Sequence, residues 1–127
     1  MFELKILTHF AAAHQLKMVK KKCENLHGHN WEVEVCVAGD RLNEAGIVVD
    51  FGELKANLRE VTETIDHQFL NNLPFFGEST PASSENIALY IARELQKRMD
   101  QSDRYAGIKV TRVSAWESKD ACATYIP

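Results

Sequence analysis

The 127-residue chain has few of the features that mark disulfide-stabilised, membrane-spanning or nucleic-acid-binding proteins. Its three cysteines are odd in number and widely spaced, so a disulfide framework is not expected. No apolar run approaches the ~20 residues of a membrane span, and the first residues alternate apolar with polar side chains, unlike a signal peptide. With 15 basic and 18 acidic residues the net charge is −3, which argues against a general nucleic-acid-binding surface. We therefore expect a cytoplasmic protein with neither nucleic-acid nor membrane partners.

The length also limits the organisation of the chain. Domains cluster at roughly 100–150 residues, and no linker or internal repeat divides the sequence, so we expect one domain over residues 1–127. A nucleotide-binding domain followed by a separate substrate domain would not fit. A catalytic site in this chain would therefore be compact or shared between subunits.

Hydrophobic periodicity predicts strands at both ends of the sequence. Apolar and polar side chains alternate in the first two segments, as they do in half-buried strands. Strands are predicted over residues 2–14, 27–38, 47–49, 108–117 and 121–126. Residues 66–82 contain several turn-forming residues and are expected to be irregular.

Two amphipathic helices are predicted between these strands. Asp50 is a suitable N-cap for the first, and a second begins near Ser83 or Ser84. Apolar residues recur every three or four positions in the first helix, at Phe51, Leu54, Leu58, Val61 and Ile65. In the second they recur every fourth position, at Ile87, Ile91, Leu95 and Met99. The order β-β-β-α-α-β-β predicts an α+β domain with helices on one face of an antiparallel sheet, whose open edges oligomerisation would cover.

Three of the five histidines share the orientation of the predicted buried faces. His14 has the parity of the apolar side chains in the first strand, and His27 and His29 have that of the second strand. Three converging neutral imidazoles suit Zn²⁺ with an open fourth position, as in catalytic sites. The alternative is that some of them are ordinary core or surface histidines. The matched parity of the three favours a metal site.

Cys23 lies four residues before His27 in a lysine-rich stretch. Neighbouring lysines and a metal would lower the pKa of its thiol, so Cys23 is a candidate base or nucleophile. It is equally a candidate fourth zinc ligand, which would close the site and make it structural.

Two further groups carry possible chemistry. In Asp66-His67 the carboxylate can orient the imidazole and raise its basicity, although a histidine at a helix terminus is an alternative explanation. Glu117 can hold a planar guanidine-like group by a two-point contact, or be an exposed charge at a strand end.

Taken together, the sequence resembles the 6-pyruvoyl-tetrahydropterin synthase and 6-carboxy-tetrahydropterin synthase family. The set C-x3-H-G-H-N, with A-A-H upstream and D-H downstream, is specific as a combination. The matching stretches span nearly the whole chain: 10-FAAAH-14, 23-CENLHGHNWEVEV-35, 47-IVVDFGELK-55, 66-DHQFLN-71, 84-SENIA-88 and 116-WES-118.

This resemblance implies the tunnelling fold, a four-stranded antiparallel sheet with two helices on one face. Subunits of that fold join into a barrel, usually a trimer, and two trimers stack into a hexamer. The resemblance also implies Zn²⁺ on the three histidines and Cys23 as the proton-abstracting base. Asp66 and His67 would complete a relay with it from the neighbouring subunit, and Glu117 would anchor the pterin.

The reaction implied is that of a carbon–carbon and carbon–oxygen lyase acting on 7,8-dihydroneopterin triphosphate. The gap between Cys23 and His27 resembles that of the 6-carboxy enzymes, whose product is 6-carboxy-5,6,7,8-tetrahydropterin for queuosine synthesis, released with acetaldehyde and triphosphate. Glu24 resembles a glutamate of members that form 6-hydroxymethyl-dihydropterin for folate, so dual activity is an alternative, as is a 6-pyruvoyl product. A non-catalytic zinc module is the alternative from a different functional class.

Overall fold

A mixed five-stranded sheet and two helices form the chain over the residues that the computed structural model describes, 1–17 and 25–127. In chain order the elements are β1 (Phe2–His14), β2 (His27–Gly39), α1 (Phe51–Glu63), β3 (Gln68–Phe69), α2 (Ser84–Asp100), β4 (Lys109–Ser118) and β5 (Ala121–Tyr125). The α+β class is as predicted, and the four long strands begin and end within one residue of the predicted bounds. Neither α1 nor α2 is long and apolar enough to span a bilayer.

The sheet has one strand more than the four that the family resemblance implies. Its order is β3-β1-β2-β4-β5, in which β1, β2, β4 and β5 are antiparallel neighbours. The additional strand, β3, pairs parallel with β1 through Ala12 and Ala13. It lies within residues 66–82, which the turn-forming residues had predicted to be irregular. A strand of two residues is too short to show an alternation of apolar and polar side chains. Its position is set by pairing with the neighbouring strand.

The core lies between the two helices and one face of the sheet. The predicted inward residues of β2 are fully buried: Trp31, Val33, Val35 and Val37. They meet the apolar stripes of both helices, including Leu54, Leu58, Ile87, Ile91 and Leu95. Both predicted N-caps are confirmed, since Asp50 accepts a hydrogen bond from the Glu53 amide and Ser83 accepts one from the Asn86 amide.

The predicted strand at 47–49 is wrong. Gly46 has a φ of 78°, and the Asn43 amide donates to the Ile47 carbonyl at 2.9 Å. The Asn43 side chain also accepts from the Ile47 amide. The turn therefore satisfies the backbone amide and carbonyl of Ile47 locally, without a neighbouring strand.

The periodicity predicts that Phe51 belongs to the buried stripe of α1, and this prediction is wrong. Its side chain is 54% exposed, and it borders an open groove together with Phe2, Leu42 and Ile47. Phe51 is the first residue of α1, whereas the buried part of the stripe starts at Leu54.

We expect alanine substitutions at Leu58 and at Phe51 to have very different effects on the free energy of unfolding. Leu58→Ala should lower the free energy of unfolding by about 3 kcal/mol, because it leaves a cavity in the core. Phe51→Ala should change it by less than about 1 kcal/mol. Urea unfolding of both variants followed by circular dichroism tests this, and equal losses would contradict the burial pattern described above.

Candidate metal and active site

Three histidines and one glutamate converge where β1 ends and β2 begins. His14 pairs directly with His27 in the antiparallel register, and His29 pairs with Ala12. The three imidazoles therefore project from the helix-covered face, as their parity predicted. One ligand atom from each histidine and one from Glu117 all lie within 4.8 Å of one another.

Backbone carbonyls fix the tautomers of two of these imidazoles. His14 Nδ1 lies 2.7 Å from the Ala82 carbonyl oxygen, and His27 Nδ1 lies 2.6 Å from that of Asn25. A carbonyl only accepts, so in the neutral rings each Nδ1 carries the hydrogen and each Nε2 presents a lone pair. These two Nε2 atoms are 2.8 Å apart. Facing lone pairs at that distance repel one another unless they share a cation, so this geometry suits a metal ion.

His29 supplies a third ring nitrogen to the cluster. Its Nε2 atom is buried and lies 2.7 Å from Glu117 Oε1, the charged group that faces it in the cluster. Burial is the main reason that the pKa of His29 is lowered; Glu117 opposes this effect, and His27 and His14 add to it. A neutral imidazole whose Nε2 faces the other candidate ligand atoms fits a metal ligand, so the residues present fit the predicted zinc site.

Glu117 lies much closer to the histidines than its sequence position suggested. The strand β4 pairs with β2 at Glu32 and Trp116, and this register brings the next residue to the imidazoles. The second carboxylate oxygen of Glu117 accepts a 3.4 Å hydrogen bond from the Ser84 hydroxyl. Its side chain is 29% exposed, so it is accessible both to a metal and to a ligand entering from solvent. The alternative of a simple exposed charge at the strand end does not describe it.

Trp31 packs beneath two of the histidines. Its ring is fully buried and meets those of His14 and His29 nearly at right angles, with centroid distances of 5.3 and 5.5 Å. Phe10 stacks behind it at 6.0 Å. This packing limits the rotation of both imidazoles and was not foreseen from the sequence, where Trp31 was predicted only to be buried.

Asp66 and His67 form a pair at the β3 edge of the sheet. Asp66 Oδ1 lies 3.0 Å from His67 Nδ1, and the same oxygen accepts a hydrogen bond from the Ala11 amide at 2.9 Å. The Ala11 hydrogen bond is the main reason that the pKa of Asp66 is lowered, and burial opposes it. Asp66 is therefore a carboxylate at neutral pH, and its contact with Nδ1 orients the imidazole of His67.

The backbone presents the ring of His67 to solvent. Its φ is 57°, an uncommon value for a residue with a side chain, and the side chain is 80% exposed. His67 lies beyond the C-cap of α1, Thr64, and its ring nitrogen is held by Asp66. Together with His29 it borders an open depression of about 480 Å³. The remaining predicted site residues, Cys23 and Glu24, lie outside the described residues.

Comparisons with known proteins agree on one family. The sequence profile described as 6-pyruvoyl tetrahydropterin synthase matches residues 3–127. A Synechocystis protein named 6-carboxy-5,6,7,8-tetrahydropterin synthase is 42% identical over 93 residues, covering 69% of this chain and 70% of its own. A Pyrococcus furiosus protein named dihydroneopterin monophosphate aldolase is 33% identical over 111 residues, covering 87% and 85%. The structure of Caenorhabditis elegans 6-pyruvoyl tetrahydropterin synthase has a TM-score of 0.83 at 29% identity, covering 99% of this chain and 95% of that one. With this match over nearly its full length, the chain belongs to the 6-pyruvoyl tetrahydropterin synthase family.

Proposed function

We propose that the protein is a metal-dependent lyase that converts 7,8-dihydroneopterin triphosphate to 6-carboxy-5,6,7,8-tetrahydropterin. Acetaldehyde and triphosphate would be released, and the product would serve queuosine synthesis in the cytoplasm. The convergence of His14, His27 and His29 in a chain that also carries the Asp66–His67 pair is the observation that carries this proposal. A purely structural metal site has no use for a separate carboxylate–imidazole pair.

The metal proposed is Zn²⁺, held by the three histidines. Nitrogen ligands suit zinc, and three protein ligands leave the open position that a catalytic site needs. When bound, Zn²⁺ would act as a Lewis acid that acidifies the side-chain hydroxyls of the substrate. The carbonyls of Ala82 and Asn25 hold the Nδ1 side of His14 and His27, which would leave their Nε2 atoms for the metal.

Proton transfers are assigned to residues outside the metal ligands. In His67 the Nδ1–H group faces Asp66, so its Nε2 is free to accept a proton and to return it. Cys23 is proposed as the base that abstracts the proton from the side chain of the substrate, and nearby lysines favour its thiolate. Glu117 is proposed to bind the amino-pyrimidine edge of the pterin beside the metal.

The single chain leaves both edges of its sheet available for pairing. Among the described residues β5 has one neighbouring strand, and the outer side of β1 has a strand partner only at Ala12 and Ala13. We propose that each chain folds as one domain and that the chains join edge to edge into trimers, two of which stack. The exposed ring of His67 would then complete the site of a neighbouring subunit, together with that subunit's Cys23.

The Pyrococcus relative favours a second candidate function. By its name, that protein is an aldolase acting on dihydroneopterin monophosphate. Aldol cleavage would break the bond between the first two carbons of the neopterin side chain. It would leave 6-hydroxymethyl-dihydropterin and release the other two carbons as a phosphorylated glycolaldehyde, with Glu24 as the additional acidic group. Mass spectrometry of the products formed from dihydroneopterin triphosphate distinguishes this product from 6-carboxy- and 6-pyruvoyl-tetrahydropterin.

The assignment of Cys23 leads to a prediction that separates a base from a metal ligand. Cys23→Ala should abolish acetaldehyde release while retaining one Zn²⁺ per chain, measured by atomic emission on the purified protein. Cys36→Ala removes a buried thiol of the sheet and is the matched control, with activity expected to persist. Loss of zinc from Cys23→Ala would instead indicate a closed Cys-His₃ site and a non-catalytic zinc module.

Glu117→Gln tests whether this carboxylate binds substrate or metal. If it binds the pterin, KM should rise by about tenfold or more at unchanged zinc content, because a charged two-point contact is lost. A drop in zinc affinity at unchanged KM would contradict the substrate assignment and would make Glu117 a fourth ligand.

Mixing two inactive variants tests the shared site. Chains carrying Cys23→Ala and chains carrying His67→Ala, unfolded and refolded together, should regain about a quarter of wild-type activity, since random assembly leaves that share of interfaces with both groups intact. Each variant refolded alone is the control. If the mixture stays as inactive as the single variants, Cys23 and His67 act within one chain.

A further inference from the structure

The Asn71 side chain forms two hydrogen bonds with the backbone of Gln15, the residue that follows the last residue of β1, His14. The Asn71 side-chain oxygen accepts a hydrogen bond from the Gln15 amide at 3.0 Å, and its side-chain nitrogen donates to the Gln15 carbonyl at 2.8 Å. These two bonds reproduce with a side-chain amide the pair of contacts that a neighbouring strand would make with Gln15. The two residues are 56 positions apart in the sequence.

With these two bonds, residues 66–71 contact the backbone of the chain continuously from Ala11 to Gln15. At Ala11 the attachment is made by the Asp66 carboxylate and the His67 amide. At Ala12 and Ala13 it is made by strand β3. Asn71 then secures Gln15, so the backbone is held both before and after His14.

The segment that carries Asn71 is itself firmly anchored. Leu70, the residue before it, is fully buried in the core, and the Leu73 amide donates to the Leu70 carbonyl at 3.0 Å to close a single 3-10 turn. Because Leu70 is fixed in the core, the neighbouring Asn71 side chain holds Gln15, directly after β1, at a fixed place relative to the core.

We propose that Asn71 is a positioning residue for His14. The imidazole of His14 is fully buried, and its Nδ1 must meet the Ala82 carbonyl while its Nε2 meets the nitrogens of the cluster. Because both nitrogens of this buried ring have fixed neighbours, a shift of the His14 backbone would break these contacts. The hydrogen bonds of Asn71 to the adjacent Gln15 backbone restrict such a shift. The proposal rests on the proposed metal site, in which His14 is a ligand.

The experiment compares Asn71→Ala with Asn72→Ala, a matched control that removes the exposed asparagine next in the same turn. Zinc affinity is measured by competition with a chromophoric chelator, cobalt coordination by visible absorption, and stability by thermal unfolding of the metal-free proteins. Asn71→Ala should weaken zinc binding about tenfold, the lower end of the loss that follows removal of an outer-shell contact. It should also alter the cobalt spectrum, while Asn72→Ala matches the wild type in both.

Asn71→Asp keeps the acceptor for the Gln15 amide and loses the donor to its carbonyl, and we expect weaker zinc binding from it as well. This variant carries the test if the alanine variant does not fold. Wild-type zinc affinity in a less heat-stable Asn71 variant would overturn the proposal, because the asparagine would then only stabilise the fold. Failure of the wild-type protein to bind zinc would overturn the metal site itself.

Discussion

The register between β1 and β2 is the constraint on which the site depends. Thirteen residue pairs run without a shift from Phe2 opposite Gly39 to His14 opposite His27. A slip of one residue would turn His27 and His29 to the other face of the sheet, away from His14. The buried side chains of both strands oppose such a slip, since it would expose the fully buried Trp31 and Val33 to water. The hydrophobic core therefore fixes the geometry of the polar site.

Groups outside the cluster of histidines and Glu117 set the tautomers and the orientations of the imidazoles. Carbonyl oxygens of Ala82 and Asn25 set the tautomers of two rings, and Trp31 packs edge to face against His14 and His29. The Ala82 carbonyl directly precedes the N-cap of α2, Ser83. The residue before that N-cap therefore contacts His14, so the position of the start of α2 also orients a candidate ligand.

The segment over residues 66–71 combines structural and chemical roles. The Asp66 carboxylate binds both the β1 backbone and the ring of His67, so the group that orients the imidazole also attaches the sheet edge. The backbone at His67 has a positive φ, which directs a titratable side chain outward from an edge that a second chain can approach. In the proposed assembly this edge is where one subunit would contribute to the site of the next.

Local pattern in the sequence determined the four long strands, both helices with their caps, and the common orientation of three histidines. Alternation and capping are local properties, because they follow from backbone geometry over a few residues. Tertiary structure alone decided the β3 pairing, the exposure of Phe51, and the approach of Glu117 to the imidazoles. It also decided the attachment of Asn71 to Gln15. These features depend on contacts between segments far apart in the chain. Strand register and helix packing determine such contacts, and a local sequence pattern does not encode them.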